Sequence, residues 1–206
     1  MDAMKPSQIY RIVLLTILLL LPAVSSAQST ILVFGDSLSA GYGIPREAAW
    51  PSLLQAELNR THPHYKVINA SISGETTSGG VRRLPATLKE HRPSLVILEL
   101  GANDGLRGTK LDLTEKSLNT LITQSQAAGA KVLLLGMQLP PNYGVAYTKK
   151  FKSLYPKLAQ RHRIELVPFM LEGVEAHEFQ ADNLHPVAEA QPKILQTVLQ
   201  KLKGML

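Results

Sequence analysis

Short apolar runs alternate with longer stretches in which apolar residues recur every three or four positions. Ile31-Leu32-Val33-Phe34 reads as a first strand. Trp50 to Asn59 reads as a helix, with Leu53, Leu54 and Leu58 on one face. Val67-Ile68-Asn69 is a short second strand, and a helical stretch from about Gly80 to Glu90 ends before Pro93. Leu95 to Leu100 is almost unbroken in Leu, Val and Ile, the pattern of a strand covered on both faces in a parallel sheet; Glu99 is its exception. Thr114 to Ala128 predicts a helix with Leu118, Leu121 and Ile122 on one face and Gly129 where a C-terminal cap belongs. Lys131 to Gly136 contains a fourth strand, Tyr147 to Gln160 a helix with a kink expected at Pro156, and Ile164 to Val167 a fifth strand. The last helix is expected from about Pro186 to Leu202, with Pro192 either kinking it or marking its start.

Strand and helix in strict alternation predict an α/β fold with a parallel sheet. Ligands of such sheets bind outside the carboxyl ends of the strands. Polar clusters stand at those ends. Gly35-Asp36-Ser37-Leu38-Ser39 follows the first strand, Ser71-Ile72-Ser73-Gly74-Glu75-Thr76-Thr77 the second, and Gly101-Ala102-Asn103-Asp104-Gly105 the third; Asp182-Asn183-Leu184-His185-Pro186 precedes the last helix. Taken singly, each has a plain structural explanation. Ser or Asp after a strand is a common helix N-cap. Gly74 suits any loop, Asn-Asp-Gly is turn chemistry, and Asp-x-x-His can open a helix. A phosphate-binding loop does not fit the second cluster, because no lysine follows its glycine.

Together the clusters supply the parts of acyl transfer. Serine is a poor nucleophile until a base takes its proton, and the tetrahedral intermediate carries an oxyanion that needs fixed donors. Ser37 is the candidate nucleophile and His185 the base. A turn brings residues three apart to within about 7 Å at Cα, so Asp182 can orient that histidine. The N–H groups of Ser37 and Gly74 and the Asn103 side chain are candidate oxyanion donors. The loop Gly74 to Gly80, rich in Gly, Ser and Thr, is expected to move over bound acyl chains.

Composition narrows the class. The chain has 206 residues, 45% of them hydrophobic and 18% charged, which suits one globular domain and not a disordered chain. With no cysteine, disulfides, thiolate metal sites and a cysteine nucleophile are excluded. Lys5 and Arg11, the apolar run Ile12 to Leu21 broken only by Thr16, the helix-breaking Pro22 and the small residues Ser25-Ser26-Ala27 form the three parts of a secretory signal peptide. Residues 1–27 are therefore expected to be removed near Ala27, leaving a single hydrolase domain at 28–206 that is exported to the periplasm or secreted. The whole chain carries 22 basic and 16 acidic residues, a net charge of +6; the leader holds Lys5, Arg11 and Asp2, so the remainder is at +5. The basic residues are scattered, without a stripe of interleaved aromatics, and no nucleic-acid partner is expected. His62 and His64 lack a third ligand, so no metal is expected there; Glu99 is expected to be a hydrogen-bonded structural carboxylate, and Trp50 core.

In order and combination, Gly-Asp-Ser-Leu-Ser, the loop glycine, Gly-x-Asn-Asp and Asp-x-x-His-Pro resemble the four blocks of the SGNH, or GDSL, hydrolases, and most of all their bacterial periplasmic thioesterase and lysophospholipase branch. The resemblance extends through Ala49-Trp50-Pro51, Asn69 to Glu75, Glu99 to Gly108, Leu139 to Gly144 and Tyr155 to Ala159. It implies a three-layer α/β/α sandwich with a flavodoxin-like, five-stranded parallel sheet. It also implies a triad of Ser37, Asp182 and His185, with Ser37, Gly74 and Asn103 at the oxyanion, working without cofactor or metal. The activity implied is hydrolysis of acyl thioesters, lysophospholipids and simple aryl esters by a monomer, on small molecules or on lipids at a membrane surface. Asn183-Leu184 departs from the family, where glycine and a β-branched residue are more familiar, but leaves the triad spacing intact. Two other readings stay open: a carbohydrate O-deacetylase on the same fold, and a non-catalytic periplasmic binding module.

Overall fold

The first strand, β1 (Ser29–Gly35), is apolar from Ile31 to Phe34 because it has a neighbour on each side and helices on both faces; Ile31, Leu32, Val33 and Phe34 are fully buried. The computed structural model describes residues 28–206. The signal segment expected at 1–27 lies outside them.

β1 pairs with β2 (Tyr65–Asn69) on one side and β3 (Leu95–Glu99) on the other; β4 (Lys131–Leu135) and β5 (Glu165–Val167) complete a parallel sheet in the order β2-β1-β3-β4-β5. This is the flavodoxin-like order, and its reversal between β1 and β3 opens a ligand crevice at the carboxyl ends of those strands. The edge strands β2 and β5 are half-buried and short, which limits sheet-to-sheet association.

Two short helices, α1 (Ser37–Ala40) and α4 (Ala102–Leu106), begin in that crevice directly after β1 and β3. The layers are made by five longer ones: α2 (Trp50–Thr61), α3 (Thr77–His91), α5 (Leu111–Ala127), α6 (Val145–His162) and α7 (Gln191–Leu202). α2 packs on α7, while α3 packs on α5 and α5 on α6. The sheet lies between these two sets, so the three-layer α/β/α sandwich read from the sequence is the architecture of the chain. Trp50 is fully buried at the start of α2, and Gly129, at φ 82°, follows α5 in the left-handed conformation that suits a helix end.

The sequence reading needs two corrections here. Pro186 does not open the last helix: it pairs with Phe179 in an isolated antiparallel bridge, and α7 begins at Gln191 with Pro192 in its first turn, where the missing N–H costs nothing. Finally, Thr77 to Gly80 are not a loop. They form the first turn of α3, capped by Thr76 Oγ1, which accepts the Gly79 N–H at 3.1 Å, and anchored by Asp104, which accepts both the N–H and the hydroxyl of Thr77. The Gly74 to Gly80 segment expected to move as a unit is therefore half helix, and only Gly74 to Thr76 remain in the loop.

Candidate active site

β1 and β3 run in register, with Gly35 opposite Glu99. A side chain at position 35 would collide with this neighbour, since a Cβ on Gly35 would stand 2.5 Å from Glu99 Oε2. Glycine lets the chain leave β1 tightly against β3. Asp36 then caps α1, its Oδ1 accepting the Leu38 N–H at 3.0 Å, and Ser37 becomes the first residue of the helix. The N-cap reading of this pentapeptide is realised by Asp36, which leaves Ser37, the candidate nucleophile, at the helix start. At the first helical position the Ser37 N–H has no intrahelical acceptor and faces the crevice end of the sheet.

The Ser37 hydroxyl donates to His185 Nε2 at 2.8 Å, and His185 Nδ1 donates to Asp182 Oδ2 at 2.6 Å. A carboxylate can only accept, so the proton sits on Nδ1 and leaves Nε2 free to accept from serine. The turn also closes on itself: Asp182 Oδ1 accepts the N–H groups of Leu184 and His185 at 2.9 and 3.0 Å. Burial pushes the Asp182 carboxyl up, but these bonds from His185 and Leu184 outweigh it and hold it at about 2, so the orienting group is an anion at neutral pH. Asn183, the departure from the family pattern, has φ 57°. That left-handed conformation is the reason glycine suits the position, and asparagine is among the few other residues that tolerate it.

The donors lie on the opposite wall. Gly74, at φ 78°, turns the loop after β2, and Arg107 Nη2 donates to its carbonyl at 3.1 Å. Asn103, in α4, points its amide into the crevice, where Nδ2 donates to Asp36 Oδ2 and to Glu75 O, both at 3.1 Å. Ser37, Asp182, His185, Gly74 and Asn103 thus stand together at one sheet edge, as the sequence blocks required. Ser37, Gly74, Asn103 and His185 line a cavity of about 420 Å³, whose walls continue into Leu38, Leu106, Met137, Leu139, Phe169 and Leu171. The lining is mostly apolar, a shape and chemistry that accept a hydrocarbon chain ending at the hydroxyl.

Several contributors carried no recognisable sequence signal. The Tyr42 ring packs on His185, centroids 4.6 Å apart. Gln180 Nε2 donates to Tyr42 O at 2.8 Å and to Pro186 O at 3.2 Å, while Gln180 N donates to His185 O at 2.8 Å. One glutamine side chain therefore latches the histidine loop to the segment that follows the serine. Among the described residues no group of three or more His, Asp or Glu side chains converges as a metal site would require.

A profile of the GDSL-like Lipase/Acylhydrolase family matches residues 33–191. The chain is 47% identical to Esterase TesA of Pseudomonas aeruginosa over 88% of its length and 91% of that protein. It is 42% identical to Thioesterase 1/protease 1/lysophospholipase L1 of Escherichia coli K12, over 92% of its length and 90% of that protein. The crystal structure of the psychrotrophic esterase EstA from Pseudoalteromonas sp., inhibited by monoethylphosphonate, superposes with a TM-score of 0.82 at 40% identity, covering 86% of this chain and 98% of that one.

Proposed function

Since the chain belongs to the GDSL-like lipase/acylhydrolase family and is a serine hydrolase of the esterase and thioesterase type, we propose that Ser37 is its nucleophile, His185 its general base and Asp182 the group that orients that base. The observation that carries this reading is the continuous line of hydrogen bonds from Asp182 through His185 to the Ser37 hydroxyl.

Ser37 Oγ attacks the acyl carbonyl carbon as its proton passes to His185 Nε2. The carbonyl oxygen becomes an oxyanion, held by the N–H groups of Ser37 and Gly74 and by Asn103 Nδ2. Both Asn103 amide protons are engaged in this structure, so the oxyanion takes over one of them, and the bond to Glu75 O is the one that yields because it is neutral. The C–O or C–S bond then breaks, and the leaving group takes the proton from His185. Water attacks the acyl-enzyme, again giving its proton to His185, which returns it to Ser37 Oγ as the acyl C–Oγ bond breaks and the carboxylic acid departs.

The apolar cavity supports acyl chains longer than acetyl, on thioesters or lysophospholipids as the name of the Escherichia coli relative suggests, over acetylated sugars, whose polar rings would strip it of water without replacing hydrogen bonds. The signal-like residues 1–27 support action outside the cytoplasm; N-terminal sequencing of exported protein tests this and should begin at or near Gln28.

The direct test is hydrolysis of a p-nitrophenyl ester series from acetyl to palmitoyl by the exported protein and its Ser37→Ala variant. Turnover with a medium or long acyl optimum, lost in the variant, is expected. Equal turnover by both would remove Ser37 from the chemistry, and an acetyl optimum would favour the deacetylase.

A further inference from the structure

Glu99 is fully buried at the carboxyl end of β3, and no step of the reaction above uses it. It faces Asp36, also fully buried, across the β1–β3 pair. Glu99 Oε2 accepts the Asp36 backbone N–H, so the two carboxyl groups stand close together and each bears on the ionisation of the other. Two adjacent carboxylates in a site closed to water do not both ionise.

The remaining hydrogen bonds decide which group keeps the proton. Asp36 accepts at both oxygens, from Leu38 N–H and from Asn103 Nδ2, which is the environment of an anion. Glu99 accepts twice at Oε2, from Asp36 N–H at 3.1 Å and from the Ser39 hydroxyl at 2.8 Å, while its buried Oε1 meets no donor. An ionised oxygen left that way is far costlier than a neutral one. Burial first, and then the Asp36 charge, push the Glu99 carboxyl well above the ordinary carboxylate range, in the same sense. His185 acts on Asp36, and the buried Tyr155 hydroxyl feels the charges of Glu99, Asp36 and Asp104.

We propose that Glu99 is a positioning residue for the oxyanion amide: a neutral carboxylic acid whose Oε2 holds the Asp36 backbone N–H and so fixes the carboxylate that aims Asn103 Nδ2 at the reacting carbonyl. The consequence is directional. An amide can present either its NH₂ or its oxygen to the crevice, and only an acceptor at Asp36 Oδ2 enforces the donor face. Glu99 keeps that acceptor in one place, because Oε2 also holds the Asp36 backbone N–H. This rests on the assignment of Asn103 to the oxyanion.

The test uses Glu99→Gln, Glu99→Leu and Asn103→Ala, alone and combined. Glu99→Gln is neutral like the acid and its amide oxygen keeps the two bonds of Oε2, so kcat should stay within about threefold of wild type. In Glu99→Leu the fixed acceptor is lost and kcat should fall by up to about 10²-fold with little change in KM. The loss should vanish in the background of Asn103→Ala, since nothing is left to aim. Difference infrared spectra of wild type against Glu99→Gln, recorded without substrate near pH 8, should contain the carbonyl stretch of a protonated carboxylic acid. Losses in Glu99→Leu and Asn103→Ala that simply multiply, a Glu99→Gln enzyme as slow as Glu99→Leu, or absence of the acid band each overturn the proposal. The infrared band needs neither turnover nor the leucine variant to fold, so its outcome is separate from any failure of the Ser37 assignment.

Discussion

His185 Nε2 stands 2.8 Å from Ser37 Oγ although 148 residues separate them in the chain. In the proposed mechanism Asp182, bonded to His185 Nδ1, fixes the tautomer of that imidazole. Replacing that carboxylate by an amide in Asp182→Asn lets the side chain donate to Nδ1 and puts the imidazole proton on Nε2, facing serine. We expect kcat for a p-nitrophenyl ester to fall by about 10³–10⁴-fold with the fold intact by circular dichroism; a loss below tenfold would show that Asp182 does not set the tautomer.

Asn103→Ala removes one donor from the oxyanion. Steady-state kinetics should give a kcat lowered by about 10²–10³-fold and a KM close to wild type, the mark of an interaction made in the transition state. A raised KM with unchanged kcat would instead make Asn103 a ground-state binding group.

The left-handed Asn183 gives a stability prediction. Asn183→Gly should match wild type in both melting temperature and turnover. Asn183→Val places a β-branched residue at φ 57°, costs about 1–2 kcal/mol, and should displace His185 enough to reduce turnover. Equal urea midpoints for the two variants would contradict the backbone assignment.

The buried acid pair makes stability depend on pH. Asp36 is raised from 3.8 to about 6, by burial first, against the opposing bonds from Leu38, Glu99 and Asn103. Between those values the folded state holds a proton that the unfolded chain has released, so the stabilisation is fully present below 3.8 and is lost as pH rises through about 6. Asp182 works in the opposite sense: its contribution is present above 3.8 and is lost as pH falls through about 2. Urea midpoints from about pH 4 to 8 should therefore fall for wild type relative to Asp36→Asn as pH passes about 6. Parallel curves would mean that Asp36 is not titrating there.

Chain-length preference should follow the cavity wall. Met137 is buried and lines the cavity. Met137→Trp fills space that an acyl chain needs, and the ester series should shift toward shorter chains with acetyl turnover nearly unchanged. An unchanged optimum would place the chain elsewhere.

Most of the fold could be read from the sequence, because strands covered on both faces leave continuous apolar runs such as Ile31 to Phe34 and Leu95 to Leu98. The start of α3 could not. Thr-Thr-Ser-Gly-Gly has poor helix propensity, and what makes it helical is Asp104, a residue 27 positions away that binds Thr77. The last helix was placed too early because Pro186 and Pro192 are both plausible first-turn prolines, and only the pairing of Phe179 with Pro186 separates them. The five candidate site residues stood out because Ser37, Gly74 and Asn103 follow strands and Asp182 and His185 precede the last helix. Asp36, although inside the Gly-Asp-Ser block, had no assigned work, since its partners Glu99 and Asn103 become neighbours only once β3 lies beside β1.

Gln180 holds the Asp182–His185 loop to the rest of the crevice through a handful of hydrogen bonds on irregular backbone, whereas Ser37 follows directly on β1, an inner strand of the sheet. Such surface segments open at far smaller free energy than the sheet. Warming should therefore disconnect the charge-relaying half of the machinery from a scaffold that is still folded: activity should fade several degrees below the melting transition and return on cooling. The enzyme's upper working temperature would then be set by one side-chain latch, and improving that latch, not the core, is the route to a more heat-tolerant hydrolase.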